Sequence, residues 1–169
     1  MNGQRKHRCV LALHLSARGL AFCVFDAPGS LHDWGLKRVE TGNQRAGILA
    51  IVGHLFQRFA PDSVVIEDVA ALGARRSNKT RSLYNEIERL CDEQAIDVFS
   101  YPWEAVFKVF ADCRPESRHD IAIAIAMMLP MIKRRLPPKR HSWLPQDPRQ
   151  ALFDAAALGI THYTTHPAP

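Results

Sequence analysis

Three side chains stand where their neighbours are apolar, and each could do acid–base or metal chemistry. His14 follows the run Cys9-Val10-Leu11-Ala12-Leu13. Glu67 follows Val64-Val65-Ile66, with Asp68 beside it. Asp154 lies in Leu152-Phe153-Asp154-Ala155-Ala156-Ala157-Leu158. A carboxylate in such a setting is costly unless it is partnered, so polar exceptions of this kind point to a functional centre. One chemistry that clustered acids can serve is metal-assisted hydrolysis of a phosphate ester. Water must attack in line and the leaving oxygen must be stabilised, and two Mg²⁺ ions about 4 Å apart can serve both ends. Hard cations take oxygen ligands, so clustered carboxylates suit Mg²⁺ or Mn²⁺. An imidazole offers one neutral nitrogen and no bridging oxygen, which suits Mn²⁺ or a transition metal better than Mg²⁺. Plainer roles exist for each residue. Glu67 and Asp68 also read as a solvated strand end, and Asp154 as a carboxylate facing water. His14 reads equally as a ligand, a different catalytic group or a relic of lost activity.

The elements that must position these residues follow from the apolar pattern. Cys9–Asp26 reads as two buried strands joined at Ser16-Ala17-Arg18-Gly19, and Leu31–Glu40 as a third, giving an antiparallel meander. Gln44–Phe59 is predicted helical, with Ile48, Ile51, Val52, Leu55, Phe56 and Phe59 at three- and four-residue spacing, and Pro61 ends it. Ser63–Asp68 is a buried strand. A helix followed by such a strand predicts a crossover into a parallel neighbour of the first strand. Helices are predicted at Ser82–Gln94, Trp103–Phe110, Arg118–Met131 and Gln150–Tyr163, with a short strand at Asp97–Pro102. Lys133–Arg149 carries four prolines and reads as a basic surface loop. Residues 1–8 and 164–169 are expected to fray. The expectation is one α/β domain over 1–169: a mixed five-stranded sheet, three strands antiparallel and the rest parallel, with helices on both faces. If the first and fourth strands are parallel neighbours, His14 and Glu67 share one sheet end. A last helix crossing that end would bring Asp154 to them.

Composition sets bounds on partners. The 169 residues are 47% hydrophobic, enough for one domain with a real core. The net charge of +5 fits a polyanion partner, with plain solubility as the alternative. Arg75, Arg76, Lys79 and Arg81 follow Glu67, and Lys133, Arg134, Lys139 and Arg140 lie in the Pro-rich loop. They read as phosphate contacts or as a solvated face. The four cysteines form no C-x-x-C pair, which reads as reduced thiols in a cytoplasmic protein. The apolar run after Arg8 is short and is broken by His14 and Arg18, so neither a secretory signal nor a membrane span is expected.

Over residues 9–163 the chain resembles the RuvC-like Holliday-junction resolvases of the ribonuclease H-like superfamily. Leu11-Ala12-Leu13-His14-Leu15-Ser16-Ala17-Arg18-Gly19-Leu20-Ala21 is similar to the family's first-strand pattern, with His14 where the family has an aspartate. Pro61-Asp62-Ser63-Val64-Val65-Ile66-Glu67 matches its second acidic motif, and Asp154-Ala155-Ala156-Ala157-Leu158-Gly159 its alanine-rich acidic helix. Ala151 falls where a further carboxylate would be expected. The resemblance implies a structure-selective DNA endonuclease acting on branched or four-way DNA in recombination and repair, with Mg²⁺ or Mn²⁺ as cofactor and a homodimer for paired cuts. It implies a catalytic set of His14, Glu67 and Asp154, with Lys108 steadying the transition state. Glu67, Asp154 and His14 would hold the metal. Asp147, two turns before Asp154 and followed by Pro148, reads as a further ligand or as a helix cap. The loss of the first-strand aspartate implies an alternative, a catalytically silent nucleic-acid-binding module. A sugar-kinase or actin-type relative also begins with a meander, but this chain is too short for two such lobes.

Overall fold

In the computed structural model, which describes residues 8–40 and 42–167, five strands form one sheet. They are β1 (Val10–Ser16), β2 (Gly19–Ala27), β3 (Ser30–Arg38), β4 (Ser63–Glu67) and β5 (Asp97–Tyr101), and they lie in the order β3-β2-β1-β4-β5. β1 runs antiparallel to β2, which runs antiparallel to β3. β1 and β4 are parallel, as are β4 and β5. The mixed sheet expected from the sequence is therefore present, and its central strand is the one that carries His14.

Helices cover both faces. α1 (Gln44–Phe59) and α2 (Asn78–Glu93) lie on one side. α3 (Trp103–Val109), α4 (Arg118–Met128) and α5 (Gln150–Thr165) lie on the other. Successive strand side chains point to opposite faces. Leu11, Leu13 and Leu15 accordingly enter the core under α1 and α2, with Ile48, Val52 and Ile87. Val10 and Ala12 face α5, in the core that holds Phe153, Ala156 and Leu158. His14 continues that second series, so the alternation alone aims it at α5.

The α5 side is built from small residues. Ala12 and Ala21 on the strands meet Ala155, Ala156 and Gly159 on the helix, which lets the helix backbone come close to the sheet. A Cβ added at Gly159 would stand 2.3 Å from the ring of Phe25, itself completely buried. Tyr84 of α2 is fully buried beneath the end of β1, where its hydroxyl accepts a hydrogen bond from the Leu15 N–H at 2.9 Å. It packs the core.

Several boundaries differ from expectation. α2 starts at Asn78 because Ser77 caps it, its hydroxyl accepting from the Thr80 N–H at 3.2 Å. The polar first turn hid that start, so Lys79 and Arg81 are helical. α4 ends at Met128 rather than Met131. Pro130 lacks the N–H that the helix would need, and the chain tightens into a 3₁₀ helix over Pro130–Arg135. Lys133 and Arg134 therefore sit on that 3₁₀ turn, ahead of the loop. α5 runs on through Thr165, so Thr164 and Thr165 do not fray. Of the remaining expected tails, residues 1–7 and 168–169 lie outside the described residues. No helix among the described residues is long and apolar enough to cross a membrane.

Gly159→Ala tests the close packing of α5. Alanine favours a helix by about 1 kcal/mol over glycine, yet here it must push a buried ring aside, at a cost of ~1–3 kcal/mol beyond that gain. Urea unfolding should show a net loss of stability.

Candidate active site

The register of β1 and β4 sets the site. Ala12 lies opposite Val65, and two residues further along each strand come His14 and Glu67. α5 crosses above and adds Asp154. The three side chains are buried, at 4%, 3% and 2% exposure for His14, Glu67 and Asp154. His14 Nε2 is 3.4 Å from Asp154 Oδ2, and His14 Nδ1 is 4.0 Å from Glu67 Oε2. The imidazole thus bridges two acids that are far apart in sequence.

Two arginines enter the same space. Arg76, from the connection between β4 and α2, donates to Glu67 Oε2 from Nε at 2.9 Å and from Nη2 at 2.6 Å. Its Nη2 also donates to the Leu15 carbonyl at 3.3 Å and lies 3.1 Å from His14 Nε2. The other Glu67 oxygen accepts from the Trp103 indole N–H at 3.0 Å. Arg118, at the start of α4, stacks its guanidinium 3.8 Å from the centre of the Trp103 ring. Its Nη1 is 3.5 Å from Asp154 Oδ2. Gln150, one turn before Asp154, donates to Asp154 Oδ1 at 3.0 Å.

Protonation follows from burial. The His14 imidazole is held well below its ordinary 6.5, first by loss of water and then by Arg76 and Arg118. It is neutral, and accepting from Arg76 requires its Nε2 lone pair and hence a proton on Nδ1. The Asp154 carboxyl is pushed up to about 6 by burial, against the opposing pull of Arg118 and the Gln150 hydrogen bond. His14 Nδ1 and Asp154 Oδ2 are buried with no hydrogen-bond partner.

Two clefts open beside the cluster. One, of about 850 Å³, is floored by Glu67 and edged by Arg75, Lys139 and Arg140. The other, of about 750 Å³, reaches His14 and Asp154 and is edged by Arg18 and Arg38. Arg76 and Arg118 line both clefts and form the wall between them.

The expected site residues are distributed unevenly. His14, Glu67 and Asp154 come together. Lys108 does not join them: it is exposed on α3, pairs with Glu104 at 3.0 Å, and lines neither cleft. Asp147 lines both clefts, but Arg149 occupies its carboxylate through contacts at 2.7 and 3.0 Å. Asp147 is also not the helix cap, because α5 begins at Gln150. It stabilises the turn before the helix by accepting from the Arg149 N–H at 2.9 Å. Arg76, expected on the nucleic-acid side, turns inward to Glu67 instead. Arg81 is spent on the carbonyls of Ala74 and Arg76 and so holds the Arg76 segment. Arg75, Lys79, Lys133, Arg134, Lys139 and Arg140 are exposed. Arg118, Trp103 and Gln150 were missed by sequence reasoning. Gln150 was findable from its helical spacing to Asp154. Trp103 and Arg118 carry no local signal, since each reaches the site only through the tertiary fold.

The Mg²⁺ or Mn²⁺ that the resemblance implies does not fit this donor set as it stands. Among the described residues, no three His, Cys, Asp or Glu side chains are arranged to hold a metal ion. The two carboxylates already face two guanidiniums, and the oxygen of Glu67 that points at His14 is taken by Arg76.

A pH prediction follows from Asp154. A carboxyl raised from 3.8 to about 6 stabilises the fold while protonated, and loses that contribution as pH climbs through about 6. Asp154→Asn lacks the ionisation. It should gain on wild type by ~2–3 kcal/mol between about pH 4 and about pH 7. Urea unfolding at both values checks this, and a pH-independent difference contradicts the placement of Asp154.

Neither a protein-family model nor a curated protein sequence matches the chain. Solved structures do. Thermus thermophilus RuvC in complex with a Holliday junction substrate has a TM-score of 0.68 at 17% identity, over 95% of this chain and 95% of that one. A second Thermus thermophilus RuvC structure gives 0.67 at 17% identity, over 94% of this chain and 96% of that one. The yeast mitochondrial Holliday junction resolvase Ydc2 gives 0.63 at 12% identity, over 94% of this chain and 80% of that one. Through nearly its whole length, the chain has the RuvC-type, ribonuclease H-like fold.

Proposed function

We propose that this chain is a structure-selective DNA endonuclease of the resolvase kind, binding branched DNA and hydrolysing a phosphodiester at Glu67 and Asp154. The observation that supports this reading most is the meeting of His14, Glu67 and Asp154 beneath clefts with basic edges, on a fold shared with RuvC and Ydc2. The Arg75, Lys139 and Arg140 edge gives sequence-independent attraction for a phosphate backbone. Within the centre, Asp154 Oδ2, a carboxylate oxygen with no hydrogen-bond partner, is the acceptor for the proton of an attacking water. Arg118, held over the Trp103 ring, brings positive charge towards the phosphate that is attacked. A homodimer belongs to this reading, because paired cuts across a junction need two centres. DNA recombination or repair in the cytoplasm is the setting that fits such an activity.

A second reading has an observation of its own. The Glu67 carboxylate is fully engaged by Arg76 and Trp103, and His14 stands where an acid would be expected. A protein that binds junctions and leaves them uncut fits those contacts.

Incubation of a synthetic four-way junction with the chain, with Mg²⁺ or Mn²⁺ present, separates the two. The nuclease reading expects cleaved strands, lowered about a hundredfold or more by Glu67→Gln or Asp154→Asn. Retarded junction without products supports the silent reading, and linear duplex bound as tightly as the junction rejects both. Lys139→Ala with Arg140→Ala should weaken binding whatever the DNA sequence. The slope of log affinity against log salt should fall by ~2 in the double variant, and an unchanged slope removes this edge from the interface.

A further inference from the structure

We propose that Arg76 is the resident cation of the acidic centre and that it keeps divalent metal ions out. This rests on the assignment of Glu67, His14 and Asp154 as the centre, and holds whether or not the centre cuts DNA.

The geometry of one nitrogen carries the proposal. Arg76 Nη2 is 2.6 Å from Glu67 Oε2, 3.1 Å from His14 Nε2 and 3.3 Å from the Leu15 carbonyl oxygen. A carboxylate oxygen, an imidazole nitrogen and a backbone carbonyl converge on that point, and these are the donor types a divalent ion would use. The guanidinium fills the position that those atoms define. Two of its nitrogens bond the same carboxylate oxygen, and charge-assisted bonds of this kind are among the strongest available to a side chain.

Charge balance points the same way. Glu67 faces Arg76 and Asp154 faces Arg118, so two negative groups meet two positive ones, while His14 is neutral. A divalent ion added to this set would leave an uncompensated double charge in a centre whose acids are 3% and 2% exposed. Burying unpaired charge is the most expensive electrostatic act open to a protein. Arg76 is itself held in place. Its Nη2 is anchored on the Leu15 carbonyl, and Arg81 donates to the carbonyls of Ala74 and Arg76, bracing the short connection that delivers it. Arg76 is thus a positioning residue that occupies a cation's place.

Mn²⁺ titration followed by electron paramagnetic resonance tests the proposal without any assay of cleavage. Wild type should show no saturable Mn²⁺ site that depends on Glu67. Arg76→Gln should gain one site, at least about tenfold tighter than any wild-type binding, and Glu67→Gln added to it should abolish the gain. Arg76→Lys keeps the charge and should stay as blind to Mn²⁺ as wild type. Equal, Glu67-dependent binding by wild type and Arg76→Gln overturns the proposal. So does an Arg76→Gln chain that folds and still binds nothing.

Wild type alone gives a second measurement, should Arg76→Gln not fold. The Trp103 indole N–H sits on Glu67, so substoichiometric Mn²⁺ bound there would broaden its resonance. Broadening overturns the proposal, and an unaffected resonance supports it. An uncut junction leaves the exclusion of Mn²⁺ standing. Mn²⁺ bound at Glu67 in wild type removes the exclusion and leaves cleavage open.

Discussion

Two carboxylates and an imidazole can share one buried place only when their charge is answered there. In this protein the answer comes from side chains. Glu67 leans on Arg76 and Trp103, and Asp154 on Arg118 and Gln150. The remaining features of the site follow from that balance. His14 is neutral because it lies away from water and, secondarily, among guanidiniums. Asp154 holds its proton up to about pH 6 because burial strips its carboxyl of water, against the opposing pull of Arg118 at 3.5 Å and the Gln150 hydrogen bond.

The fold makes this meeting unavoidable. A parallel β1–β4 pair puts positions 14 and 67 level at one end of the sheet. Strand alternation turns His14 towards α5, and the alanines and glycine along α5 let the helix lie close enough for Asp154 to reach it. The same alanine-rich surface explains why the last helix is buried along almost its whole length. Close approach, more than apolar mass, is what that helix contributes.

Much of this was legible beforehand because its signals are local or periodic. The apolar runs of β1, β2 and β4 announced a two-faced sheet, and the helix between β3 and β4 announced the parallel crossover that joins His14 to Glu67. Asp154 stood out as one acid among alanines. What was hidden depends on side-chain direction across the fold. Arg76 sits in a basic, turn-rich stretch indistinguishable in sequence from a phosphate-binding loop, yet it points inward. Arg118 and Trp103 reach the centre from separate elements, with nothing in their neighbours to mark them. The polar start of α2 and the proline that stops α4 were missed because apolar periodicity is silent about caps and overlooks a single breaker.

The central claim is that Arg76 and Glu67 form one energetic unit inside the protein. A double-mutant cycle of Arg76→Gln and Glu67→Gln, read by urea unfolding at neutral pH, measures it directly. The account predicts strong coupling, ~1–3 kcal/mol, with the double variant more stable than the two single losses would add up to. Additive losses, with coupling near zero, would contradict it.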